Sequence, residues 1–67
     1  MNNLREGVRL FVKTNMFEGL GTLMFILKNE IFPYQIELDD PDEDGHKIKR
    51  VARHEILEIK EDIDFDI

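Results

Sequence analysis

The chain has 67 residues, no cysteine, and a net charge of −6 from fifteen acids against nine lysines and arginines. A chain this short closes one small domain over a thin core. It cannot be stapled by disulfides or a cysteine-based zinc site, and its charge repels the phosphates that a nucleic-acid binder must neutralise.

Residues 1–6 are polar and are expected to fray. The opening Met1-Asn2-Asn3-Leu4-Arg5-Glu6 does not read as a signal peptide, and no apolar run reaches membrane-spanning length. A soluble, intracellular protein is expected. Gly7–Lys13 reads as a first strand, with Val8, Leu10 and Val12 on one face and Arg9, Phe11 and Lys13 on the other. Phe11 is the apolar exception on that polar face. Thr14–Gly21 reads as a loop, marked by Asn15, Gly19 and Gly21. Thr22–Lys28 is a second strand with apolar side chains on both faces, as in a strand covered on both sides. Asn29-Glu30-Ile31 connects it to a third strand, early in which Pro33 is tolerated.

Phe32–Val51 reads as strand, turn, strand. Tyr34, Ile36 and Leu38 alternate with Gln35, Glu37 and Asp39, and the run from Asp39 to Gly45 is turn chemistry. Setting Leu38 opposite Ile48 places Asp39 against Lys47 and Glu37 against Lys49, each charge pair worth roughly 0.2–1 kcal/mol. Apolar parity then changes between Ile48 and Val51, which predicts a β-bulge near Lys49-Arg50. Ala52–Glu55 reads as a tight connection with room for one helical turn. From Leu57 the pattern alternates: Leu57, Ile59, Ile63, Phe65 and Ile67 against Glu58, Lys60, Asp62, Asp64 and Asp66. Five short strands with glycine-bearing loops and one sharp bend predict an all-β, five-stranded, mostly antiparallel barrel over residues 1–67, with 61–67 as an acidic strand extension. The expected core is Val8, Leu10, Val12, Leu23, Phe25, Leu27, Ile36, Leu38, Ile48, Val51 and Ile59.

Several short motifs carry a resemblance: the strand opening at Gly7-Val8, the run Gly19–Leu23, the strand Pro33–Ile36 followed by Asp39-Asp40, Gly45 before the fourth strand, and His54-Glu55-Ile56. In these the chain resembles small SH3-like barrels, in particular the YorP-like proteins of Bacillus phages and prophages. The resemblance implies an SH3-like fold, a phage or prophage source, and the cytoplasm of a host bacterium as the place of action. It carries no established activity, so no functional residue transfers with it. The chain lacks the basic face of KOW-type nucleic-acid barrels.

Candidate chemistry is sparse. Asp40-Pro41-Asp42-Glu43-Asp44-Gly45 matches the opening of a calcium loop, but the twelfth position is Val51 where that loop needs a bidentate glutamate. A solvated acidic turn is the reading adopted. His46 and His54 flank the basic residues Lys47, Lys49, Arg50 and Arg53 without a metal-ligand spacing, so no metal or other cofactor is expected. With neither cysteine nor serine, and no carboxylate in an apolar setting, an enzyme is not expected.

The expected function is a small acidic protein-binding module. Its narrower form is a DNA mimic that inhibits a basic host DNA-binding protein such as the nucleoid protein HU, with no direct contact to nucleic acid and none to membrane. The partner-binding surface is assigned to Asp39, Asp40, Asp42, Glu43, Asp44, Glu58, Asp62, Asp64 and Asp66. On one strand face the last three would stand ~6.8 Å apart. A homodimer is expected through Phe11, Met24, Ile26, Ile63, Phe65 and Ile67, which together would leave a large apolar patch on a monomer. The alternatives are a KOW-like nucleic-acid-binding barrel and a structural or assembly protein of a phage particle.

Overall fold

The computed structural model describes residues 4–61. Within them lie β1 (Arg9–Thr14), β2 (Glu18–Ile26), β3 (Tyr34–Leu38), β4 (Ile48–Val51) and β5 (Ile56–Glu61), with one 3₁₀ turn at Arg53–Glu55 before β5. No helix among the described residues is long and apolar enough to cross a membrane. All neighbouring strands are antiparallel, in the order β4-β3-β2-β1-β5. A four-strand meander whose fifth strand returns beside the first, after a 3₁₀ turn, is the strand order of a small SH3-like barrel. The fold is therefore all-β and five-stranded, as the alternation predicts. No ladder joins β4 to β5 among the described residues, so the sheet wraps its core and stays open at that seam.

The core follows the alternation where alternation exists. Leu10 and Val12 of β1, Leu23 of β2 and Ile36 of β3 are fully buried, joined by Val8, Leu38, Val51 and Ala52. Each large side chain of this kind contributes roughly 1.5–3 kcal/mol by leaving water. Leu4, Phe17, Ile26, Tyr34, Ile56 and Ile59 pack against this cluster.

The structure corrects several expectations, among them the core placement of Ile48 and Phe25. Glu18–Gly21 is strand rather than loop, paired with β1 from Leu10↔Gly21 to Lys13↔Glu18. The β3–β4 register is one residue away from apolar-on-apolar: Ile36 faces Lys49, Glu37 faces Ile48 and Tyr34 faces Val51. Because side chains alternate with period two, that single step sends Ile48 outward, half-exposed, and brings Lys49 to the core side. The β3–β4 ladder runs without a break, so there is no bulge at Lys49-Arg50. Bulges occur instead at Met24 of β2, between Leu23↔Ile36 and Phe25↔Gln35, and at Leu57 of β5, between Lys13↔Glu58 and Thr14↔Ile56. Each inserts one residue and reverses the parity beyond it. That is why Phe25 is 47% exposed and Leu57 59% exposed, while Ile26 and Ile56 turn to the core.

Two local devices fix the loops. Thr14, buried at the end of β1, accepts the N–H groups of Met16 (3.0 Å) and Phe17 (3.1 Å) at Oγ1, and so folds the short β1–β2 loop. The 3₁₀ turn is closed by the Ala52 N–H donating to Glu55 Oε1 at 2.8 Å and by Glu55 N–H returning to the Ala52 carbonyl at 3.0 Å.

Candidate functional site

The acidic turn between β3 and β4 is built on Asp42. Its Oδ1 accepts the N–H groups of Asp44 (2.9 Å) and His46 (2.8 Å), while its own N–H donates to the His46 carbonyl (2.9 Å). The Gly45 N–H closes on the Asp42 carbonyl, and Gly45 takes φ +85°, a conformation open to glycine and costly for other residues. Asp42 Oδ2 accepts Lys49 Nζ, and that ammonium also lies 5.5 Å from the centre of the Phe17 ring. Lys49, brought inward by the register, thus clamps the turn to the β1–β2 loop. The Lys49 ammonium, then the His46 and Asp44 N–H groups, hold the Asp42 carboxyl down to about 2.

The excess residues of the turn lie on the β3 side. Leu38 still pairs with Lys47, whereas Asp39 leaves β4 and donates its N–H to Leu20 of β2 at 2.9 Å. This carries the Asp39 carboxylate to Arg9, which grips it with two bonds of 2.7 Å and also donates to Thr22 Oγ1 at 3.2 Å. Arg9 is the main cause of a lowered Asp39 carboxyl, with Lys47 adding a weaker pull. The pairs expected from the sequence, Asp39 with Lys47 and Glu37 with Lys49, are replaced by Asp39 with Arg9 and Asp42 with Lys49.

The nine assigned acids therefore separate. Asp39 and Asp42 are internally neutralised, and Glu58 is paired with Lys60 at 3.4 Å. Asp40, Glu43 and Asp44 are exposed and have no ion-pair partner among the described residues. Asp62, Asp64 and Asp66 lie outside the described residues. A cavity of about 690 Å³ opens between this turn and the β1–β2 loop, walled on one side by Asp40, Glu43 and Asp44 and on the other by Phe17 and Leu20.

The carboxylates of Asp42 and Asp44 and the His46 ring lie within 4.8 Å of one another, a trio that could hold a cation. The carboxylate that would anchor an ion already binds Lys49 and two backbone N–H groups. His54 sits on the 3₁₀ turn and lines a second cavity, of about 470 Å³, so the two histidines are not brought to one site. This second cavity, between the β1–β2 loop, β4, the 3₁₀ turn and β5, has no counterpart in the sequence reading. Its signal was the apolar pair Met16-Phe17 inside an otherwise polar loop.

Of the expected dimer residues, Phe11 lies on the outer face opposite Leu20 and Lys60, and Met24 occupies the β2 bulge. Ile26 packs against the core, which removes it from a free outer face. Ile63, Phe65 and Ile67 lie outside the described residues. No family model, curated protein or solved structure matches the chain. The resemblance to YorP-like phage barrels stands on its short motifs alone.

Proposed function

We propose that the protein is an acidic binding module that docks the β3–β4 turn on a basic surface of another protein. The observation that carries this reading is the division of labour in the turn. Asp42 and Lys49 fix its shape, and this leaves Asp40, Glu43 and Asp44 exposed and without counter-charge among the described residues. A turn whose backbone is already fixed loses little backbone freedom on binding, so less of the attraction of its exposed carboxylates is offset. Direct nucleic-acid binding is the weaker reading. In the basic stretch from His46 to His54, Lys49 is committed to Asp42 and Arg50 to Glu30 and the Phe32 carbonyl.

The narrower form is mimicry of DNA phosphates towards a basic host protein such as HU, a role for which a phage source would supply the setting. The test is binding to purified HU with duplex DNA as competitor. Binding that DNA displaces, and that Asp40→Asn, Glu43→Gln and Asp44→Asn together weaken roughly tenfold or more with a shallower salt dependence, supports the reading. Unchanged affinity in that triple variant removes the turn as the docking element. A basic partner whose binding DNA does not displace keeps the module and removes the mimicry.

A further inference from the structure

The second cavity adjoins the first across Met16, Phe17 and Lys49 and opens at the seam where β4 and β5 fail to pair. We propose that this seam takes an extended strand of alternating acidic and apolar side chains, and that residues 62–67 of a second copy of the chain supply it.

Three features of the seam define its occupant. The outer edges of β4 and β5 carry no partner strand among the described residues, and an open edge is completed by an added strand through main-chain hydrogen bonds. The walls are apolar: Met16 is 87% exposed and Leu57 59% exposed, beside Phe17 and the buried Val51. The charge is basic. Lys49 is bonded to Asp42, so the basic side chains turned to an incoming strand are Arg50, whose contact with Glu30 is a long and exposed 3.5 Å, and Arg53 on the adjoining 3₁₀ turn, beside His54. Glu55 is the one acid there, and its Oε1 is already engaged by the Ala52 N–H.

The segment Asp62-Ile63-Asp64-Phe65-Asp66-Ile67 matches all three, with three carboxylates and three apolar side chains alternating at the period of a strand. Charge also selects between the two cavities: both share Lys49, but the first is walled by Glu18, Asp40, Glu43 and Asp44, which repel such a segment. Geometry selects the copy. β5 lines the seam at Leu57, next to its first residue, and runs to Glu61, opposite Leu10, so an extended continuation would lead away from its own seam. A second copy can receive it, and the exchange is then reciprocal about a two-fold axis.

The experiment is sedimentation equilibrium of the full chain across the micromolar range. A dimer is expected. Arg50→Glu with Arg53→Glu in one chain, or Asp62→Lys, Asp64→Lys and Asp66→Lys in another, should each weaken self-association roughly tenfold or more. Mixing those two variants should restore a heterodimer, since each seam then meets a tail of opposite charge. The tail variant alters no contact among residues 4–61, so it stays informative if the groove variant misfolds. A monomer at all concentrations overturns the proposal. So does a dimer indifferent to both sets of substitutions, or a monomer whose groove signals shift on tail substitution, which places the tail on its own chain.

Discussion

Lys49 is the residue that sequence patterning places least well. Its apolar neighbour Ile48 looks like the inward residue, yet Lys49 faces Ile36 and Ile48 stands half-exposed. The preference of β4 for apolar cover is outweighed by the bonds that set the turn: Asp42 to His46, Asp44 and Lys49, and Asp39 to Leu20. Those bonds join backbone groups and side chains across the fold, and no periodicity reports them. Gly21 is a second such residue. A Cβ there would stand 2.6 Å from the Glu37 carbonyl oxygen, so β2 and β3 could not keep their spacing. Gly21→Ala is expected to destabilise by about 1–3 kcal/mol through overpacking, read from denaturant unfolding. An unchanged midpoint would show that β3 shifts freely. Thr14→Val keeps the shape of the side chain and removes the acceptor for the Met16 and Phe17 N–H groups. Leaving those groups without their acceptor should cost about 1–3 kcal/mol and hasten amide exchange at Met16 and Phe17. Slow exchange at both would overturn the role assigned to Thr14.

At the scale of the element, the hairpin strands and the start of the fold were legible, and the bulges were not. β3 and β4 alternate or are bounded by clear turn residues, and β3 falls where Tyr34–Leu38 predicts it. In Leu23–Leu27 every side chain is apolar, so parity carries no information and an extra residue at Met24 leaves no trace in the pattern. Ile56-Leu57 hides the second bulge for the same reason. The turn offers a test of its own. The carboxyls of Asp42 and Asp39 both lie below their ordinary value of 3.8 in the folded protein, Asp42 at about 2. A group whose folded value is depressed contributes stability that is whole above the unfolded value and is lost as pH falls through the folded one. Stability should therefore decline as pH drops from about 3.8 towards 2. Asp42→Asn should show a flatter decline over that window in an acid titration of unfolding. Parallel curves for the two proteins would mean that Asp42 is not held by Lys49 in solution.

Over the whole molecule, charge is distributed less evenly than the net value suggests. Of the −6, Asp62, Asp64 and Asp66 account for three units, and residues 1–61 for the other three. Within the described part, the strongest carboxylate contacts are internal, and Asp40, Glu43 and Asp44 form a group on the turn without an ion pair, with Glu18 and Glu37 unpaired on the strands. A binding surface defined by position and one defined by bulk charge then predict different results. Neutralising the turn trio and neutralising the tail trio change net charge by the same amount. If a basic partner responds to bulk charge, the two variants lose affinity equally and lose the same share of salt dependence. If the turn docks, Asp40→Asn with Glu43→Gln and Asp44→Asn loses roughly tenfold or more, while the tail variant keeps its affinity for the partner. Self-association should respond in the opposite order, since Asp40, Glu43 and Asp44 line the turn cavity and not the seam. The two readouts, partner binding and sedimentation, are therefore expected to exchange their sensitive variant. A tail variant that weakens both together would join the two surfaces into one and would place the partner on the dimer rather than on the turn.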